Sequence, residues 1–153
     1  MADDATVELS GFRELAAALR EIGPRAAKNT LRRAVSSGAV LVRNEARARA
    51  PVDSGEMKKD IQVKREKDQR DGPLSAKYSV FVRSGKKSRL SGRSRNVQKD
   101  SFYWKFVEFG TSKMAAQPFL DPAFQSKKED AVKAIGESLD EGIQKAAREL
   151  ANR

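Results

Sequence analysis

Cysteine and histidine are both absent from this sequence of 153 residues. Without cysteine the chain can form neither a disulfide nor a site that depends on a thiolate. Without histidine it lacks the commonest general base at neutral pH and the nitrogen ligand of most zinc sites. Catalytic triads built on histidine, and zinc centres with nitrogen or sulfur ligands, are therefore excluded.

Long apolar runs are missing as well. No stretch of the sequence approaches the roughly 20 apolar residues that a membrane-spanning helix needs. The opening MADDATVELS is acidic and lacks the hydrophobic core of a signal peptide. We therefore expect no membrane partner, and we expect the chain to be made in a cytoplasm.

The ionisable residues form no recognisable catalytic group. Glu108 is the one carboxylate embedded among aromatic residues, a position that could suit a general acid. Neither Asp100 nor Asp121 stands at a spacing that would pair with it for catalysis. The acidic residues between 53 and 71 do not follow a calcium-loop pattern, and no glycine-rich phosphate loop is present. We expect no enzymatic activity, no cofactor and no metal.

Positive charge is abundant and unevenly placed. The net charge is +10, and residues 83–99 contain seven basic residues and no acidic one. This segment is rich in Ser and Gly, so it cannot bury enough apolar surface to order itself. We predict a mobile loop over about residues 84–100. Its candidate contacts with a protein partner or with DNA are Lys86, Lys87, Arg89, Arg93, Arg95 and Lys99.

The basic segment leaves two kinds of partner open. Lys and Arg neutralise phosphates and release counterions without reading the base sequence, so non-specific DNA contact is one reading. The segment has no interleaved aromatic residues for stacking on bases and no helix suited to the major groove. A protein partner is the other reading.

Apolar periodicity predicts a single α+β domain over residues 1–153. A short helix is expected over about residues 12–22, and a long helix from Pro24 to about residue 50. Pro51 ends the long helix because it disfavours helical geometry in the residue before it. Small residues along the long helix form a stripe that faces the core.

The second half of the sequence predicts a small antiparallel sheet and a C-terminal helix. Alternating apolar residues indicate strands over 61–65 and 77–83. One or two helical turns are expected over 102–109. Asp121 is the expected N-cap of the last helix, with Pro122 at its first position.

Bulky apolar side chains are concentrated between residues 102 and 124. This window contains five of the seven Phe, the only Trp and one of the two Tyr. We predict that it supplies the main core between the strands and the C-terminal helix. The predicted core residues are Phe102, Trp104, Phe106, Phe109, Phe119 and Leu120.

Two motifs in this window are specific: EFGT at residues 108–111 and PFLDPA at residues 118–123. Together with GFRELAAALREI and APVDSGEMKKDI in the first half, they resemble the tail-completion proteins of long-tailed bacteriophages, the small neck proteins related to the lambdoid minor tail protein Z. The resemblance covers most of the chain but not its loops. The motif residues are Glu108, Phe109, Gly110, Thr111, Pro118, Phe119, Leu120 and Pro122.

This resemblance implies a structural virion protein at the neck, which joins the finished tail to the DNA-filled head. It implies a hexameric ring between head-closure or connector proteins and tail-terminator proteins, built in the host cytoplasm from chains that can be monomeric beforehand. Glu108 is expected to hold backbone or a basic partner, and Gly110 to permit a positive φ or a close backbone approach. The alternative is a basic DNA-binding or DNA-packaging accessory protein.

Overall fold

The computed structural model describes residues 12–52, 55–67, 72, 74–84 and 101–152. Residues 85–100, with the candidate contacts Lys86, Lys87, Arg89, Arg93, Arg95 and Lys99, lie outside these ranges. The elements are α1 (Phe12–Glu21), α2 (Pro24–Arg49), α3 (Glu56–Asp60), β1 (Ile61–Glu66), β2 (Lys77–Val82), α4 (Trp104–Phe109) and α5 (Leu120–Ala151).

The predicted α+β class is confirmed. Strands β1 and β2 pair antiparallel, with Ile61 opposite Val82 and Glu66 opposite Lys77. Ile61 and Val82 are buried, as expected where alternating apolar side chains face a core. The sheet packs against α2, so its position is set by the long helix of the first half.

Helices α2 and α5 form the main packing interface of the described residues. A methyl group added at Gly38 would lie 2.8 Å from the Ile135 side chain, and one at Gly142 would lie 2.5 Å from Thr30. These pairs run in opposite directions along the two helices, so α2 and α5 are antiparallel. Small residues at these points allow the two helices to approach closely.

Buried side chains form two clusters at opposite ends of the α2–α5 pair. The first cluster joins α2 and α5 to the sheet and to α3, and contains Ala46, Ala50, Met57, Ile61, Val82, Phe119 and Ala123. The second joins them to α1, and contains Leu19, Ile22, Ala27, Ala34, Leu139 and Ala146. The α2–α5 pair thus connects the two cores.

The aromatic window contributes less to the core than predicted. Phe119 is fully buried, and Trp104 and Leu120 pack partly buried against the first cluster. Phe102, Phe106 and Phe109 instead expose 49%, 48% and 75% of their surface. The prediction that these three residues belong to the core is therefore wrong.

The geometry of α4 explains this error. A helix can turn only one face toward a core, and residues three or four apart share a face. Trp104 and Val107 take the inner face and pack against the first cluster. Phe106 and Phe109, three residues apart, lie on another face, and Phe102 lies in the turn before the helix begins.

Two local predictions also change. Asp121 is not the N-cap of the last helix, because α5 begins at Leu120 and Phe119 occupies the cap position without a side-chain cap bond. Helix α3 was not predicted at all. It begins after Gly55, which adopts a left-handed φ of 75°, and it has too few residues to show a helical period.

Candidate functional site

Helix α4 ends at a glycine that no other residue could easily replace. Gly110 has φ 72° and ψ 176°, and its N–H donates to the Phe106 carbonyl at 2.8 Å. This conformation is almost confined to glycine. A Cβ here would also lie 2.8 Å from the Ala116 nitrogen. The expected positive φ and close backbone approach are both observed.

The carboxylate of Glu108 binds the first turn of α5. Its Oε2 atom accepts hydrogen bonds from the N–H groups of Phe119 at 2.8 Å and Leu120 at 3.0 Å, and its Oε1 atom accepts one from Asp121 at 3.0 Å. Glu108 is buried, with 6% of its surface exposed. The sequence predicts that Glu108 binds either backbone or a basic residue, and these three bonds are to backbone.

This arrangement replaces an ordinary helix cap. The first N–H groups of a helix have no partner within the helix, and its amino-terminal end carries partial positive charge. The cap residue Phe119 supplies no side-chain acceptor. Glu108, on a different helix, supplies both the acceptors and a negative charge. The EFGT and PFLDPA motifs are thus joined by direct hydrogen bonds.

A tight turn connects the two motifs. The Thr111 N–H donates to the Met114 carbonyl at 2.8 Å, and the Gln117 N–H donates to the Val107 carbonyl at 2.7 Å. Of the eight motif residues, two are buried (Glu108, Phe119), three are partly buried (Gly110, Leu120, Pro122) and three are exposed (Phe109, Thr111, Pro118).

A second buried carboxylate lies next to the basic segment. Asp60, at the end of α3, is 2% exposed, and its Oδ2 atom accepts a hydrogen bond from the Ser101 hydroxyl at 2.8 Å. Its Oδ1 atom lies 3.8 Å from Nη2 of Arg83. The backbone N–H of Arg83 donates to the backbone carbonyl of Asp60 at 2.8 Å. Arg83 and Ser101 stand just before and just after residues 84–100. Asp60 therefore links the two ends of the basic segment.

Sequence reasoning missed the role of Asp60. In the sequence Asp60 is one of several scattered acidic residues between 53 and 71, and their pattern predicts no site. Its partner Ser101 lies 41 residues away in the chain. The only local signal is its place directly before the apolar residues of β1.

Three exposed phenylalanines lie in and just before α4: Phe106 and Phe109 on its outer side, and Phe102 in the turn that precedes it. We call these three residues the aromatic face. Phe102 and Phe106 are about half exposed and Phe109 is three-quarters exposed. Exposed aromatic residues are enriched on surfaces that contact another protein. The charged residue between them, Lys105, lies over the Trp104 ring with Nζ 5.8 Å from the ring centroid.

The described ranges contain no group of three or more acidic residues that could hold a metal ion. None of the helices within them is both long enough and apolar enough to cross a membrane.

Comparison with known proteins identifies the family. A family model described as "Bacteriophage HK97-gp10, putative tail-component" matches residues 13–110. No curated protein and no solved structure matches the chain. The family match runs from the second residue of α1 through Gly110, so it includes α4 and the first three residues of the EFGT motif. Since it covers more than half of the sequence, the chain belongs to the HK97-gp10-like family of bacteriophage tail components and is a tail-related structural protein of the virion.

Proposed function

We propose that this chain forms a ring at the head–tail interface and joins the tail to the DNA-filled head. The observation that carries the proposal is membership of a tail-component family, together with motifs that resemble the tail-completion proteins of the neck. Head-closure or connector proteins on one side, and tail-terminator proteins on the other, are the proposed neighbours. The proposed ring is a hexamer.

The aromatic face supports a role in assembly. Complete burial of a phenylalanine side chain is worth about 1.5–3 kcal/mol, so covering the exposed parts of Phe102, Phe106 and Phe109 would supply roughly 3–5 kcal/mol. A free subunit gains nothing from leaving this surface in water. Binding of a neighbouring subunit or neck protein would bury this surface and gain that free energy.

The Glu108 bonds add rigidity to the same region. They connect α4, which carries Phe106 and Phe109, to α5, which packs along α2. A rigid surface loses less conformational entropy when it binds than a flexible one does. The family motif therefore supports a contact surface rather than a reaction.

The basic residues of the 84–100 segment are proposed as contacts with a neck protein or with the DNA in the lumen. The alternative function, a basic DNA-binding or DNA-packaging accessory protein, depends on the same charge. The neck role and the accessory role differ in the strength and sequence selectivity of the DNA binding that they require. A neck protein needs only weak, salt-sensitive contact with phosphates.

A joining assay tests the proposal. Heads and tails from a lysate that lacks the protein should remain separate, and adding the purified protein should join them. A gold label on the protein should then lie at the junction in electron micrographs. Heads and tails that join without the protein would contradict the proposal. Tight, sequence-selective DNA binding that survives moderate salt would favour the alternative.

A further inference from the structure

Helix α2 carries a large excess of positive charge. It contains seven basic residues and one acidic residue, Glu45, and no acidic residue precedes Glu45 in the helix. The five basic residues before Glu45 form what we call the basic face: Arg25, Lys28, Arg32, Arg33 and Arg43.

The basic face lies on the side of α2 that turns away from α5. Arg25, Arg32 and Arg43 stand at positions i, i+7 and i+18, so they lie on one line along the helix, opposite the buried Ala34. Lys28 and Arg33 flank this line. Arg25, Lys28 and Arg33 are exposed, and Arg32 and Arg43 are partly exposed.

The other two basic residues of α2 already have partners. The guanidinium group of Arg47 donates to the Ile61 carbonyl, and Arg49 pairs with Glu45 at 2.7 Å. Within the described ranges, by contrast, no side chain of the basic face forms an ion pair with an acidic residue. These five charges are therefore not used to hold the described domain together.

Acidic residues of α5 do not neutralise this charge either. Glu141 and Glu149 line a groove together with Arg25 and Arg33, but Lys145 lines it as well. No ion pair joins the two helices across the groove in the part of the chain that the structure describes. The surface around the start of α2 stays positive.

The placement of these charges opposes the stability of α2. The amino-terminal end of a helix carries partial positive charge, yet the first turn of α2 has no acidic residue and contains Arg25. Lys28 follows Arg25 by three residues and precedes Arg32 by four, and like charges at these spacings repel each other. Such conflicts with local stability are expected at functional positions. An anionic partner would relieve the repulsion.

We propose that the basic face binds the phosphates of double-stranded DNA without reading the base sequence. The inference rests on the proposed neck role, which would bring DNA past the protein. It assigns a DNA contact to the folded part of the domain, in addition to the segment 84–100.

The rest of α2 favours DNA over an acidic protein as the partner. None of the large exposed apolar side chains in the described ranges lies on α2, whereas protein interfaces are built around apolar and aromatic anchors. Asn29 and Ser36 lie on the same line as Arg25 and Arg32, and both residue types donate hydrogen bonds to phosphate oxygens.

The length of the basic face also fits a duplex. Arg25 and Arg43 are five helical turns apart, about 27 Å. Duplex DNA carries one negative charge per about 1.7 Å of its axis, so phosphates are available to every side chain of the line in any register. A protein partner would need carboxylates at matched positions. A contact that tolerates any register suits DNA that must move through a ring.

The salt dependence of DNA binding tests the contact. The variant with Arg25→Gln, Lys28→Gln and Arg32→Gln should bind a short labelled duplex of mixed sequence about tenfold or more weakly at a fixed salt concentration. Each phosphate contact adds about 0.9 to the slope of log affinity against log salt, so this slope should fall by about 2–3. Arg43→Gln alone should lower it by about 1. An unchanged slope in either variant would overturn the inference.

A matched control separates a local contact from a general loss of charge. Glutamine at three lysines outside α2 removes the same charge and should change the slope by less than about 1; the three are Lys113, Lys128 and Lys133. Equal effects of the two triple variants would refute a contact on α2. The α2 variant should melt at or above the temperature of the unaltered protein, because its changes remove repulsion. Its weaker DNA binding then reflects lost contacts and not unfolding.

Photo-cross-linking in joined particles separates this inference from the proposed function. The chain has no cysteine of its own, so Asn29→Cys can carry a photoactivatable group on α2, and Gln144→Cys, exposed on α5, is the control. Position 29 should cross-link to DNA and position 144 should not.

Each outcome decides one of the two proposals. Particles that join without a DNA cross-link from position 29 overturn the DNA contact and leave the neck role standing. A protein that cross-links to DNA through position 29 but fails to join heads to tails supports the contact and overturns the neck role. Cross-links from position 29 only to another protein, or to residues 1–11 of the same chain, identify a different partner and overturn the inference.

Discussion

Replacing Glu108 with alanine tests the bond between the two family motifs. The change removes both carboxylate oxygens from the first turn of α5 and leaves three backbone N–H groups without that acceptor. It also removes a negative charge from the amino-terminal end of the longest helix described. The expected consequence is a less stable domain whose α5 frays at its start.

The magnitude follows from which N–H groups can find water. Phe119 is fully buried, so its N–H would stay unpaired at a cost of about 1–3 kcal/mol. Asp121 is exposed and Leu120 partly so, and water can replace much of what their N–H groups lose. The lost interaction with the helix dipole adds about 0.3–1 kcal/mol. We expect Glu108→Ala to lower the free energy of unfolding by about 2–4 kcal/mol.

Urea titration measures this change, and a thermal melt gives a second reading. For a chain of this size, each kcal/mol lowers Tm by about 2–4 °C, so the drop should be roughly 4–16 °C. Glu108→Gln keeps one oxygen acceptor but loses the charge and one bond, and it should cost about 1–2 kcal/mol. Glu137→Ala is the control, because Glu137 is exposed on α5 and should change stability by no more than about 0.5 kcal/mol. If Glu108→Ala matched Glu137→Ala, the carboxylate would contribute nothing to capping α5.

Three further changes separate other features of the structure. Phe119→Ala should lower the free energy of unfolding, measured by urea titration, by about 3–5 kcal/mol because its side chain is fully buried. Phe106→Ala should lower it by no more than about 1 kcal/mol, and equal losses would place Phe106 in the core. Gly110→Ala should lower the free energy of unfolding by about 1–3 kcal/mol or more, because of the positive φ of Gly110 and its close approach to Ala116. Gly136→Ala, in open space within α5, should instead stabilise the domain by about 0.5–1 kcal/mol. A stabilising effect of Gly110→Ala in urea titration would contradict this prediction. Serine at five basic positions should leave the melting temperature unchanged but impair joining of heads to tails, and full joining by this variant would remove the segment from the assembly role. Those five positions are Lys86, Lys87, Arg89, Arg93 and Arg95.

The amino-acid sequence alone determined the class of the fold and the course of its long elements. Helices α2 and α5 were predicted because each repeats its apolar residues every three or four positions over many turns. Strands β1 and β2 were predicted because their apolar residues alternate. Gly110 was predicted to permit a positive φ or a close backbone approach. All of these follow from interactions within a short stretch of chain, which neighbouring residues specify.

Tertiary structure decided which aromatic residues are buried. The sequence shows that the window 102–124 is rich in Phe, but it does not show which side of α4 meets the core. That choice depends on where α5 and the sheet lie, and it packs Trp104 partly buried against the first cluster while leaving Phe106 about half exposed. A six-residue helix is too short for its own pattern to reveal its inner face.

Tertiary structure also decided the partners of the two buried carboxylates. Glu108 reaches the N–H groups of residues 11 to 13 positions later, and Asp60 meets Ser101 across 41 positions. A carboxylate in a sequence is equally suited to solvent, a cation or a helix end. Only the tertiary structure brings the start of α5 within hydrogen-bond distance of Glu108. It likewise brings Arg83 and Ser101, on either side of residues 84–100, next to Asp60.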